Sequence, residues 1–244
     1  LVAAPLVAEA GLPRLTCSVV RAPGGLTHGE CHMATSALLA APLIKQSMPL
    51  DCESAALAVA LQARGFDISQ GWVFDQLPKD PRVAIVTGAH PVIWGDPSVD
   101  FVGNVYGAES RYTGYGVYYP PIAAAAERAG ATADGHTGWT TTDIEAEIRA
   151  GHPVVVWVNF NFAYSATGRW NARDGRSIPY TTEEHAVTVV GFNTVTGTVM
   201  VVDVGVGLHR PISTAAFTAA SATFGGMAVA CSEPGAPYTP AHRQ

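Results

Sequence analysis

Three residues stand where they could act together: Cys52 where an apolar helix would begin, His185 at the start of a β-branched run, and Asp203 at the end of the next such run. A cysteine nucleophile needs a base to accept its proton, and an imidazole serving as that base needs an acceptor on its other nitrogen to orient it. Cys52, His185 and Asp203 supply those roles in that order. Attack on a carbonyl also generates an oxyanion, which must be met by hydrogen-bond donors. Gln46, six positions before Cys52, offers a side-chain amide for this, and Cys52 offers its own backbone N–H. The implied chemistry is acyl transfer through a thioester, ending in hydrolysis or in capture of the acyl group by an amine.

Each residue also has a plainer reading. Cys52 can be a small buried hydrophobe, His185 a structural residue, and Asp203, followed by Val204 and Gly205, a turn acceptor. The combination of four such residues in compatible elements favours catalysis. A thiol in the first turn of a helix feels unpaired N–H groups and the positive end of the macrodipole, so a lowered pKa is expected for Cys52.

The elements that must position these residues are legible in outline. Ser54-Ala-Ala-Leu-Ala-Val-Ala-Leu-Gln-Ala-Arg is rich in strong helix formers, Asp51 can cap it and Gly65 can stop it. A second short helix is predicted after Ser69, ending before Pro78. A third runs from Ile122 to Gly130. A fourth starts at Thr142, where Thr142 and Glu145 form a capping-box pattern, and ends before Gly151. From Pro153 the character changes. Residues 153–160, 185–192 and 198–204 are β-branched and aromatic, and a turn around residues 193–197 makes the last two antiparallel neighbours, so that His185 and Asp203 can meet. A last helix over residues 213–223 and a strand over 226–231 complete the series. Helices first and strands afterwards indicate an α+β domain, with the Cys52 helix packed on an antiparallel sheet. Residues 80–119 and 161–184 read as long connections. The aromatic residues between 94 and 121 would either line a groove or cover a core.

Composition narrows the function. Only 14% of the residues are charged, the formal net charge is −6, and Lys45 and Lys79 are the only lysines. No cluster of basic residues exists to neutralise phosphates, so nucleic acid is not an expected partner. No apolar run approaches the ~20 residues of a membrane helix. Ala8-Glu9-Ala10 resembles a signal-peptide cleavage site, which together with the cysteines points to a secreted or cell-surface location. If Cys52 is kept free, Cys17, Cys31 and Cys231 remain, and Cys17 with Cys31 would close the shortest disulfide loop. His28, Cys31 and His32 lack a further ligand at matching spacing, so neither a metal nor another cofactor is expected.

Several segments together resemble papain-fold cysteine peptidases related to the bacteriocin-processing, double-glycine peptidases, in a large bacterial branch. They are Pro42-Leu-Ile-Lys-Gln, Cys52-Glu-Ser-Ala-Ala-Leu, Trp94-Gly-Asp-Pro with Phe101-Val-Gly, Thr113-Gly-Tyr-Gly-Val-Tyr-Tyr-Pro-Pro-Ile, Gly151-His-Pro-Val-Val-Val-Trp, His185-Ala-Val-Thr-Val-Val-Gly-Phe, and Asp203. The resemblance covers about residues 40–205. It implies a papain-like fold, with Gln46 on the oxyanion-hole residue, Cys52 on the nucleophile, His185 on the base and Asp203 on its orienting acid. It also implies a peptide or protein substrate. Val204 stands where the family pattern has proline, and the first forty residues match no part of the pattern. The expected organisation is an arm over residues 1–40, a peptidase domain over 41–232 and a tail over 233–244. A transferase or amidase using the same acyl-enzyme, or a non-catalytic surface binding protein on the same fold, are the alternatives.

Overall fold

The computed structural model describes residues 15–21 and 27–232, with side chains from Met33 onward. Strands β1 (Leu15–Arg21) and β2 (Thr27–Met33) form an antiparallel pair in which Cys17 stands opposite Cys31. The side chains of Cys17, His28, Cys31 and His32, and the residues 233–244, lie outside the described part. Strand β3 (Ser36–Leu38) follows, and an extended stretch leads to helix α1 (Cys52–Ala63).

Nearly every residue of α1 is buried, including Glu53 and Ser54, as befits a helix of small apolar residues enclosed on all sides. Gly65 ends it with φ +88, a conformation open to glycine at no steric cost. Asp51 does not cap it. Its carboxylate turns back instead and accepts from the Met48 N–H at 3.1 Å and the Ser47 hydroxyl at 3.3 Å. Helix α2 (Gln70–Gln76) is capped by Ser69, whose hydroxyl accepts from the Trp72 N–H at 3.1 Å.

Residues 80–119 are more regular than their Gly- and Pro-rich sequence suggests. They contain β4 (Lys79–Asp80), β5 (Ile85–Thr87), β6 (His90–Trp94), β7 (Phe101–Val102) and a short 3-10 turn. Their aromatic residues cover a core: Trp94, Tyr115 and Tyr118 are buried, and only Tyr106 projects far into solvent. Helix α3 (Tyr119–Arg128) and β8 (Thr132–His136) come next. In helix α4 (Thr141–Ala150) the capping box is made by Thr140 and Asp143, two residues earlier than the Thr142–Glu145 pattern. An aspartate three residues after the cap serves as well as a glutamate, and both reciprocal bonds form.

The strands of the second half are β9 (Val154–Asn159), β10 (Gly168–Ala172), β11 (Ser177–Tyr180), β12 (Glu184–Asn193), β13 (Thr198–Asp203), β14 (Leu208–Ser213) and, after helix α5 (Thr214–Ala222), β15 (Ala228–Ser232). The connection expected at 161–184 thus holds a hairpin, β10–β11, which joins β6 and β5 in a small sheet.

The main sheet runs β14-β13-β12-β9-β15-β8, with β3 joining β12 just beyond the first residue of β9. Gly191 allows that junction, because a Cβ there would press on the Ala37 carbonyl. The two-residue period of the strands divides the core in two. Val155, Trp157, Ala186, Val190 and Val202 face α1 and α3, while Val154, Val156, Val158, Val187 and Val201 face α4 and α5. The Thr188 hydroxyl donates to the Ala56 carbonyl at 2.7 Å and so pins β12 to α1. This contact sets the start of α1 beside the start of β12. No helix among the described residues is long and apolar enough to cross a membrane.

Candidate active site

The sequence of β12 begins Glu184-His185-Ala186, and alternation along the strand sends successive side chains to opposite faces. Glu184 turns toward α1. Cys52, buried in the first turn of that helix, has its sulfur 3.3 Å from Glu53 Oε2 and 3.8 Å from Glu184 Oε2. The Val117 N–H donates to Glu53 Oε1 at 2.6 Å, and the Glu184 N–H donates to Glu109 Oε2 at 3.2 Å. Three glutamates therefore gather around one thiol.

Crowded acids in a low-dielectric site disfavour their own ionised forms. Burial pushes the Cys52 thiol well up, and the nearby Glu184 and Glu53 add to this against the backbone amide of Ala186, which works the other way. The lowered pKa expected from the helix dipole is not found, because desolvation and two neighbouring acids outweigh it. Burial also raises Glu53 to about 7 and Glu109 to about 9, and burial, with help from Glu53 and Glu109, raises Glu184 well above the usual carboxylate range.

His185 Nε2 lies 2.9 Å from Asp203 Oδ1, and both side chains are buried. The sequence-predicted pairing of these two residues across β12 and β13 is thus present. The Asp203 carboxylate is further held by Arg210 Nη1 at 2.6 Å from Oδ2 and by the Gly205 N–H at 3.0 Å from Oδ1. Burial acts to raise its pKa, but the bonds and charges of His185 and Arg210 prevail and hold it at about 2. Phe160 stands edge-on to the imidazole, with ring centroids 5.2 Å apart.

An open cleft of about 360 Å³ is bounded by Leu50, Glu109, Phe160, Glu183 and Glu184. It reaches the partner of the sulfur on one side and the ring beside His185 on the other. A larger groove of about 450 Å³ at the β3 edge, lined by Leu38, Phe192 and Met200, contains none of these residues.

Residues 38–222 match the Peptidase_C39 like family. The chain belongs to that family. Its α+β fold matches the crystal structure of a candidate C39-like peptidase from Bacillus anthracis with a TM-score of 0.68 and 25% identity, over 82% of this chain and 98% of the other. It is also 29% identical over 144 residues to the uncharacterized protein YvpB of Bacillus subtilis (strain 168), which covers 58% of this chain. The chain spans about half, 54%, of the length of that curated relative. The papain-like arrangement inferred from the sequence motifs, a helix beginning at Cys52 packed on an antiparallel sheet, is the arrangement of this C39-like chain.

Not all of the expected site residues converge. His185 and Asp203 meet, but among the described residues no hydrogen bond joins the Cys52 sulfur to the imidazole, and the sulfur faces Glu53 and Glu184 instead. Gln46 lies at the mouth of the α1 turn, and its backbone N–H donates to the Val204 carbonyl at 2.9 Å, linking it to the loop after Asp203. Its side-chain amide donates to the Met48 and Pro49 carbonyls at 3.0 and 2.8 Å, so both of its hydrogens are engaged within the turn. Glu53, Glu184, Glu109 and Arg210 were not anticipated. Glu53 and Glu184 directly adjoin Cys52 and His185 in sequence, and an acid inside an otherwise apolar stretch was the available signal. Arg210 had no such signal.

Proposed function

We propose that this chain is a cysteine peptidase that opens a peptide or isopeptide bond through a thioester on Cys52. His185 serves as base, Asp203 orients it, and Gln46 with the backbone N–H of Cys52 stabilises the oxyanion. The observation that supports this most is the bond between His185 Nε2 and Asp203 Oδ1, 2.9 Å long, beside a cleft that also reaches Glu184 next to the sulfur. With Nε2 engaged, Nδ1 is the nitrogen left to take a proton.

The resting thiol is neutral, so its proton leaves as the carbon–sulfur bond forms. For that transfer the sulfur must leave the glutamates and the imidazole must come to it from the neighbouring position of β12, while the Gln46 amide exchanges a carbonyl of its own turn for the oxyanion. Catalytic hydrogen bonds commonly tighten only with substrate bound. Collapse of the tetrahedral adduct expels the amine, which takes the proton from the imidazolium. Water, deprotonated by His185, then attacks the thioester and releases Cys52.

The test is covalent labelling by a thiol-directed peptidase probe. Cys52→Ala should abolish it with the fold intact. Absence of labelling of the wild type at every pH between about 5 and 9 would sink the proposal. Product analysis with an added amine separates hydrolysis from acyl transfer, since a transferase would yield the amide.

The proposal extends to export and to a disulfide between Cys17 and Cys31. These two are backbone partners across β1 and β2, while Cys231 is a buried free thiol. Directly opposed residues of an antiparallel pair have Cα atoms about 4.5–5.5 Å apart, within the span of a disulfide. Peptide mapping under non-reducing conditions should recover the two as one linked fragment. Recovery as separate free thiols from protein made in an oxidising compartment would count against both points.

A further inference from the structure

The group around Cys52 has the composition and spacing of a metal site. Cys52 Sγ and one carboxylate oxygen each from Glu53 and Glu184 all lie within 4.8 Å of one another. In tetrahedral zinc coordination, with Zn–S about 2.3 Å and Zn–O about 2.0 Å, a sulfur and an oxygen ligand stand about 3.5 Å apart. The sulfur is 3.3 Å from Glu53 Oε2 and 3.8 Å from Glu184 Oε2, on either side of that value.

The surroundings support the same reading. The Val117 N–H occupies Glu53 Oε1 at 2.6 Å, which leaves Oε2 directed at the sulfur. Glu109 fixes the backbone of Glu184 through its N–H at 3.2 Å. Outer contacts of this kind orient metal ligands. Glu184 is only 7% exposed, and its Oε1 is buried with no hydrogen-bond partner. A carboxylate oxygen left unpartnered in the interior is costly, and a cation would satisfy it. The cleft lined by Glu184, Glu109 and Glu183 provides a path of entry.

We propose that Cys52, Glu53 and Glu184 bind a thiophilic divalent cation of the zinc class, and that the bound ion blocks Cys52 as a nucleophile. The blocking half rests on the peptidase reading, whereas the binding half does not. As the metal bonds form, the thiol proton and the protons held by the ligating glutamates are released to solvent, and a water completes the four ligands. Sulfur selects zinc, cobalt or cadmium over magnesium or calcium.

The experiment is a titration of the reduced full chain with Co2+, following the near-ultraviolet charge-transfer band of a cobalt-bound thiolate. One equivalent should saturate the band, and Zn2+ should displace it. Cys52→Ser should abolish the band, and Glu184→Gln should weaken apparent affinity at least about tenfold with circular dichroism unchanged. Glu53→Gln provides the same test should Glu184→Gln not fold. The binding proposal is overturned by a wild type without the band, by a band that survives Cys52→Ser, or by one that is lost only in Cys31→Ser. Unchanged affinity in a folded glutamate variant has the same force. Probe labelling with and without Zn2+ then tests the blocking half, for which suppression is expected. Labelling that proceeds undiminished with zinc bound overturns that half. Metal-free protein that never labels overturns the peptidase reading instead, and the cobalt band still decides the site.

Discussion

Arg210 Nη1 lies 2.6 Å from Asp203 Oδ2, the oxygen that His185 leaves free when its Nε2 takes Oδ1 at 2.9 Å. The register of β13 and β14 sets Arg210 opposite Val201, which makes it a diagonal neighbour of Asp203. One carboxylate is thereby held from both sides. The imidazole, with the guanidinium adding to it, keeps the carboxylate ionised against the pull of burial, and the ionised form is the one that orients an imidazole and stabilises its protonated state.

Replacing Arg210 by Met keeps an unbranched apolar stem beside Phe162 and removes the charge. A charge-assisted hydrogen bond contributes about 1.5–3 kcal/mol, and the 40% exposure of Arg210 puts it at the low end of that range. We expect kcat/KM to fall about tenfold, with Asp203→Asn falling much further. The pH profile distinguishes positioning from mere stability. Asp203, held down at about 2, contributes stability that is present above its unfolded value of about 4 and is lost as pH falls through the folded value. In Arg210→Met the acid limb of activity and stability should move to higher pH. An unmoved limb would remove Arg210 from this role.

The legible parts of this protein are those decided by neighbours in sequence. Helix α1 and its stop at Gly65, the cap at Ser69, the pairing of β12 with β13 and the meeting of His185 with Asp203 all follow from local propensity and a short turn. The misread parts were decided by groups distant in sequence. The thiol pKa was inferred from the helix end alone, but burial under the sheet reverses the sign, and Glu184, arriving from 132 residues away, adds to it. Asp51 is the local exception: it reads as a cap, yet the turn just before it, at Ser47 and Met48, takes its carboxylate. The short strands between residues 79 and 102 have little hydrophobic alternation of their own. They are strands because of partners elsewhere: β10 receives β6, β5 pairs with β6, and β4 pairs with β7.

Trp170 is the centre of that cluster. Its ring stands 4.9 Å from Tyr115, 4.8 Å from Tyr180 and 5.4 Å from Trp94, and its Nε1 donates to the Gly95 carbonyl at 2.8 Å. Trp170→Ala should cost about 3–5 kcal/mol through the cavity and the stranded carbonyl. Urea denaturation measures this, and a loss below about 1 kcal/mol would show that the cluster collapses around the deletion.

Buried Glu53 and half-buried Glu109 predict how stability changes with pH. Glu53 at about 7 and Glu109 at about 9 keep protons in the folded state that an unfolded glutamate, with a pKa of about 4.3, releases. The folded chain therefore binds more protons across this interval, and its stability falls as pH rises from 5 toward 9. The contribution is full below the unfolded value and is lost through the folded ones. Tm should be higher at pH 5 than at pH 9, and Glu109→Gln should flatten the slope. A Tm that rises over this interval would contradict the assignment.

Gly116 tests the packing beneath the nucleophile. A Cβ built on it collides with Glu53 Oε1 and comes within 3.3 Å of Glu184 Oε2, while the Gly116 carbonyl accepts from the Val102 N–H at 2.9 Å and ties this segment to β7. Because the backbone cannot retreat, Gly116→Ala must displace the Glu53 carboxylate from the Val117 N–H. Overpacking of this kind costs about 1–3 kcal/mol. We expect a lower urea midpoint at an unchanged m value, together with an altered rate of Cys52 labelling, since Glu53 is one of the acids holding that thiol neutral. If the midpoint drops and the labelling rate does not move, Glu53 has no hold on the sulfur.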